Sequence, residues 1–239
     1  MPSFETLLIA AVVAAVALGA LALFAGLRTT SASDASGASD AIRELGGGHF
    51  AAALERARTG PRAPRDELYA AAVAAKHLRL WERADELLAR LLGSDAGDGE
   101  AWLERGLVAA YSGYPGRAAE ASSAFARALA HRADLAESLT LHRAWLALRE
   151  GDRAAARRLF DEVETPLENK LRGDLGEGEP LFAEWFLQAA ALWSAAGDGE
   201  RAAWAAAAGR AAAPESRLPD IILLAAPGGP AADLPPPLQ

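Results

Sequence analysis

Four histidines, His49, His77, His131 and His142, are the side chains of this 239-residue chain best suited to ligate a metal or move protons near neutral pH. None stands at metal-ligand spacing from another, so each is expected on a partly exposed helix or turn. Carboxylate pairs such as Asp85 with Glu86 and Asp161 with Glu162 are adjacent on helices and point apart, which suits solvated faces rather than acid–base work. Gly173, Gly176 and Gly178 lack the preceding strand that a dinucleotide loop requires. With no cysteine, thiolate nucleophiles, thiolate metal sites and disulfides are excluded together. The expectation is therefore no catalytic site, no metal, no cofactor and no small-molecule substrate.

Composition narrows the partner. Net charge is −8, and all but Lys76 and Lys170 of the 24 basic residues are arginine. An acidic excess without a basic patch argues against nucleic acid. Apolar residues make up 51% of the chain, enough for a continuous core.

The elements follow from a phrase that returns along the chain: a turn residue, an alanine five positions on, and an apolar residue four further. It reads Gly48 and Ala53; Gly151, Ala156 and Phe160; Gly197 and Ala202; with looser copies at Arg79, Ala84, Leu88 and at Gly113, Phe125, Ala128. A recurrence in the thirties means stacked helical hairpins, because one hairpin cannot bury its own apolar face. The fold class is all-α, with hairpins expected at about 40–60, 66–93, 99–131, 135–164 and 180–213, and no alternating strand pattern competing.

Local signals punctuate these hairpins. Asp66 is expected to cap the helix that follows Pro64. The repeated tetrapeptides Gly97–Glu100 and Gly197–Glu200 are read as a turn and cap, since a calcium loop needs more oxygen ligands at alternate positions. Thr165 and Pro166 are expected to end the fourth hairpin, and Gly173 to Pro180 to form a long connection.

Outside 40–213 the chain changes character. Thr6 to Leu27 carries no charge and, as a helix, spans roughly 33 Å, enough for a hydrocarbon core. Residues 1–28 are read as one transmembrane helix and 29–39 as a Ser, Ala, Gly and Asp tether. A cleaved secretory signal fits less well, because Met1 to Glu5 has no basic residue. Arg28 after the span favours a cytoplasmic body and a single-pass location in a bacterial inner membrane. Residues 214–239 hold seven of the 13 prolines and are read as a Pro-rich, extended tail. Within it Asp220 to Leu224 is too short to span a membrane but has the last hairpin within reach to pack on.

The residues at these positions resemble the tetratricopeptide repeat family, whose hairpins of about 34 residues carry Trp, Gly, Ala, Phe and Pro at set places. The third hairpin matches best, with Trp102, Gly106, Gly113, Ala121, Phe125, Ala128 and Leu129. The second gives Ala72, Trp81, Ala84 and Leu88, with Arg79 in place of the turn glycine. The fourth gives Ala144, Gly151, Asp152, Ala156 and Phe160, the fifth Trp193, Gly197, Ala202 and Pro214. The first, with Gly48, Phe50 and Ala53, is shortened. About three extra residues lie near Gly113, and a longer insertion near Gly173.

The resemblance implies an α-solenoid of about five hairpins whose first helices line a concave groove. In that frame the groove residues are Tyr69, Val73, Lys76, His77, Leu103, Leu107, Tyr111, Leu141, Trp145, Leu148, Arg149 and Leu187, an apolar and aromatic strip with basic rims. Tyr69 and Val73 stand where some relatives carry a lysine and asparagine clamp for a terminal carboxylate, so such a clamp is not expected. The function implied is a membrane-anchored scaffold that binds protein partners during assembly or quality control of an envelope complex. Alternatives are an accessory subunit of a larger membrane complex, or a periplasmic client-binding factor like those of cytochrome biogenesis.

Overall fold

The computed structural model describes residues 39–114, 116–173 and 179–224. The expected span, the tether before Ser39 and the tail beyond Leu224 lie outside the described residues. Among the described residues there is no strand and no helix long and apolar enough to cross a membrane.

Eleven α-helices occur among them: α1 (Asp40–Gly46), α2 (Phe50–Arg56), α3 (Arg65–His77), α4 (Trp81–Ser94), α5 (Gly99–Tyr111), α6 (Arg117–His131), α7 (Ala136–Arg149), α8 (Arg153–Arg172), α9 (Ala183–Ala195), α10 (Gly199–Ala212) and α11 (Pro219–Leu223). Single 3-10 turns, Ala133–Leu135 and Pro180–Phe182, lead into α7 and α9. Each odd-numbered helix up to α9 packs most extensively on the helix that follows it, giving five antiparallel pairs.

The recurring phrase marks how the pairs turn. Gly48, Arg79, Gly151 and Gly197 all have positive φ, and after each the chain closes the helix end in the same way. The turn residue's N–H bonds the carbonyl three back, and the next N–H bonds the carbonyl five back, as in Arg79 to Lys76 and Leu80 to Ala75. Glycine takes this conformation without strain; Arg79 is the one non-glycine residue with positive φ among those described. The extra residues of the third hairpin sit between two left-handed glycines, Gly113 and Gly116, and Gly116 is the one five before Ala121. Ala53, Ala84, Ala121, Ala156 and Ala202 are all buried, so the small residue sits at the same depth in every pair.

Close approach explains the smallest residues. A Cβ on Gly106 would lie 2.4 Å from Phe125 Cε1 and 3.3 Å from the Ala121 carbonyl. Ion pairs then step from one pair of helices to the next, Arg65 to Asp98 and Glu100, Arg117 to Asp85 and Arg201 to Glu168, while Lys170 to Glu137 ties α8 to α7 within the fourth pair.

Two local expectations are corrected. The helix starting at Arg65 has Pro64 at its N-cap and no side-chain cap; Asp66 lies inside the first turn. Asp98 and Asp198, by contrast, accept the N–H of Ala101 and Arg201 as capping residues. Pro166 does not end the fourth pair: α8 runs 20 residues straight through it, because Phe160, Val163, Leu167 and Leu171 keep one buried face in register. The carbonyl that Pro166 leaves unbonded belongs to exposed Glu162, where water can satisfy it.

Candidate functional site

The first helices of the pairs stand side by side, and α3 faces α9 across the inner space they enclose. The positions placed there by the repeat frame do not form an open groove. Val73, Lys76, His77, Leu107, Tyr111, Leu141, Trp145, Leu148 and Leu187 are buried; only Tyr69, Leu103 and Arg149 are half-buried. Lys76 and His77 belong to the interior rather than to a basic rim. His142 is buried with His77, against the expectation of partly exposed histidines, whereas His49 and His131 are exposed.

Lys76 organises the centre. Its Nζ lies 2.7 Å from Glu104 Oε2 on α5 and is also paired with Glu184 Oε1 on α9. Lys76, Glu104 and Glu184 are exposed by only 1%, 8% and 4%. Burial opposes the charge on Lys76, but the two carboxylates together hold its ammonium above the usual pKa. Burial likewise opposes ionisation of Glu184, and Lys76 followed by His77 overrides it, holding Glu184 below the usual carboxylate range. Glu104 is pushed up, by burial first and by the charge of Glu184, against the pull of Lys76. An amine locked as ammonium between two carboxylates is a fastener between α3, α5 and α9, not a nucleophile.

A second chain of hydrogen bonds crosses α7. His142 Nδ1 lies 2.8 Å from Gln188 Oε1, so that nitrogen carries the proton, and Gln188 Nε2 donates to the Tyr111 hydroxyl at 2.7 Å. Burial, then the charge of Glu184, pushes the Tyr111 phenol well up. Burial pushes His142 down to about 4. Tyr111 also meets the edge of Trp145, their rings 5.0 Å apart.

What fills the inner face is the chain's own C-terminal part. Residues Pro214 to Leu224, expected as the start of an extended tail, turn back after α10 and place Leu218, Pro219 and Ile222 in the interior. The Arg217 N–H donates to the His77 carbonyl at 2.8 Å, satisfying one of the carbonyls left free at the end of α3. His77 Nε2 faces Glu184 Oε1 at 3.1 Å and so holds the ring proton; Nδ1 then accepts from the Ser216 hydroxyl at 3.0 Å. Ser216 Oγ in turn accepts the Leu218 N–H. On the other side Trp145 Nε1 donates to the Ile222 carbonyl at 3.0 Å. The His77 ring is stacked on Phe50 with centroids 4.0 Å apart, which fixes its plane.

The remaining positions divide. Tyr69 reaches Glu104 at 3.4 Å. Val73 joins an apolar cluster with Leu45, Phe50, Ala183 and Ala212, where the first pair of helices meets the last. Leu187 faces Gly209 inside the α9–α10 pair. Arg149 lies beside Trp145, its guanidinium carbon 5.9 Å from the ring centre, and lines a 370 Å³ hollow with Gly113, Tyr114 and Leu146. Glu104, Glu184 and Gln188 were missed by sequence reasoning, and His142 was read as partly exposed. A register signal was present: Glu104 stands three before Leu107 and Glu184 three before Leu187, both positions that the repeat frame turns inward.

Among the described residues no group of three or more His, Asp or Glu is arranged to hold a metal ion. Comparisons of the chain with protein-family models, with curated proteins and with solved structures give no match.

Proposed function

We propose that this protein is a membrane-anchored, tetratricopeptide-like scaffold that binds partner proteins through the inner face of its helical pairs. The observation that carries the reading is the seating of residues 216–222 on that face by main-chain bonds to His77 and Trp145. A face that already accepts a polypeptide backbone is built for peptide recognition rather than for chemistry on a small molecule. The uniform turns at Gly48, Arg79, Gly151 and Gly197 support the repeat reading, and the uncharged run Thr6–Leu27 supports the anchor. Anchoring raises the effective concentration towards membrane-bound partners.

The accessory-subunit reading has one observation in its favour: the inner face is already occupied. Photo-crosslinking separates the two. A photoreactive residue at half-buried Leu103 is expected to label a membrane-associated partner once the C-terminal segment is released by Leu218→Asp, and not before. Labelling equal to that from a probe at exposed Arg158 would overturn the scaffold reading. Alkaline extraction of membranes tests the anchor: the chain should stay in the pellet and leave it when residues 1–28 are deleted.

A further inference from the structure

Resting on the scaffold reading, we propose that residues 213–224 are an intramolecular ligand of the inner face, and that the external partner presents a segment of the same chemistry. That chemistry is a hydroxyl residue, Leu-Pro two and three positions on, and an aliphatic residue six positions on, as in Ser216, Leu218, Pro219 and Ile222.

Three observations support exchange rather than a fixed cap. The segment's polar bonds to the inner face come from a main-chain N–H, a main-chain carbonyl and one hydroxyl, all of which another polypeptide can supply. The groups they satisfy, the His77 carbonyl, His77 Nδ1 and Trp145 Nε1, are buried while the segment is docked, so its release opens them to water and a second polypeptide offering the same donors and acceptor can take its place. The five-residue α11 is too short to hold its helix without the face it packs on, so order in the segment depends on docking.

Occupancy in cis regulates access. A tethered segment competes at an effective concentration on the order of millimolar, so the intact chain discriminates against all but tight or abundant partners.

The test uses the full chain and a fluorescent synthetic peptide of residues 213–224. Leu218→Asp, which places a carboxylate at a fully buried position, releases the segment in cis, and Arg217→Pro removes the N–H given to His77 without adding charge. The peptide is expected to bind both variants at least about tenfold more tightly than the unaltered chain. A peptide carrying the same Leu218→Asp change should not bind. No binding to either variant while its helicity is retained would overturn the proposal, as would unfolding of both variants, which would make the segment part of the obligatory core. If the released chains instead pair by exchanging their segments, sedimentation will show dimers and the occupant is a second copy, overturning the external partner. Crosslinking from Leu103 without peptide binding would leave the scaffold reading standing and sink this one; peptide binding without any external crosslink would do the converse.

Discussion

Replacing Lys76 by methionine probes the centre on which three helices converge. Met preserves the length of the stem and deletes the ammonium, leaving Glu104 and Glu184 facing each other in the interior without a counter-charge. Breaking a buried ion pair by removing one partner costs about 3 to 5 kcal/mol, because the stranded charge keeps its desolvation penalty. For a body of this size each kcal/mol moves Tm by about 2 to 4 °C, so a drop of roughly 6 to 20 °C is expected at neutral pH, read by circular dichroism. The pH dependence carries the sharper signature. In the unaltered protein Glu184 sits below its unfolded pKa, so its contribution is present above the ordinary carboxylate range and is lost as pH falls from that range towards the lower folded value. In Lys76→Met both carboxylates are expected above their unfolded values, so acid relieves the folded state. The gap between the two proteins should narrow as pH is lowered from 7 towards 5. A loss under about 1 kcal/mol at pH 7, or a gap that does not change with pH, would refute the assignment of Lys76 as the counter-ion of both carboxylates.

The remaining predictions are more local. Gly106→Ala drives a methyl into the buried Phe125 ring and is expected to cost roughly 1 to 3 kcal/mol, more than Gly93→Ala in α4, whose added methyl meets nothing within 4 Å; equal losses in chemical denaturation would contradict the close-approach argument. Phe160→Ala empties a core position against Trp193 and should destabilise by roughly 3 to 5 kcal/mol; an unshifted denaturation midpoint would remove Phe160 from the core. His142, held at about 4, should stay neutral in NMR titrations until well below pH 6. Its depressed value means a contribution complete above about 6.5 and lost as pH falls towards 4, amounting to about 3 kcal/mol, and an ordinary midpoint would exclude the burial of His142 that depresses it.

The pairing of helices was legible because its determinants are local. A left-handed closing residue and an alanine five positions on are set by the geometry of one turn, so Gly48, Arg79, Gly151 and Gly197 marked every such closure, including the one occupied by arginine. Asp98 and Asp198 were legible as caps for the same reason. Pro166 misled because its local preference is overridden by a buried face that continues to Leu171. The inner face was legible as a set of positions but not in its chemistry. Helical register says which residues of α3 point inward, yet it cannot say that Glu184, more than a hundred residues away, stands opposite Lys76. An open groove followed from treating the hairpins as a uniform curve; contacts of Gly48 with Pro180 and of Phe50 with Ala183 and Ala212 instead bring the first pair against the last. The inward path of residues 214–224 was hidden by their prolines, two of which sit before and at the first turn of a docked helix rather than in a free tail.

Indole N–H exchange measured by NMR tests the central claim most directly, since Trp145 bonds to Ile222 while Trp193 bonds to Glu164 and half-buried Trp102 bonds to Ala96. Trp145 should exchange far more slowly than Trp102 in the unaltered chain, and Leu218→Asp should abolish that protection while leaving Trp193 slow. Rapid exchange of Trp145 in the unaltered chain, or protection that survives Leu218→Asp, would contradict the docking of residues 216–222 on the inner face.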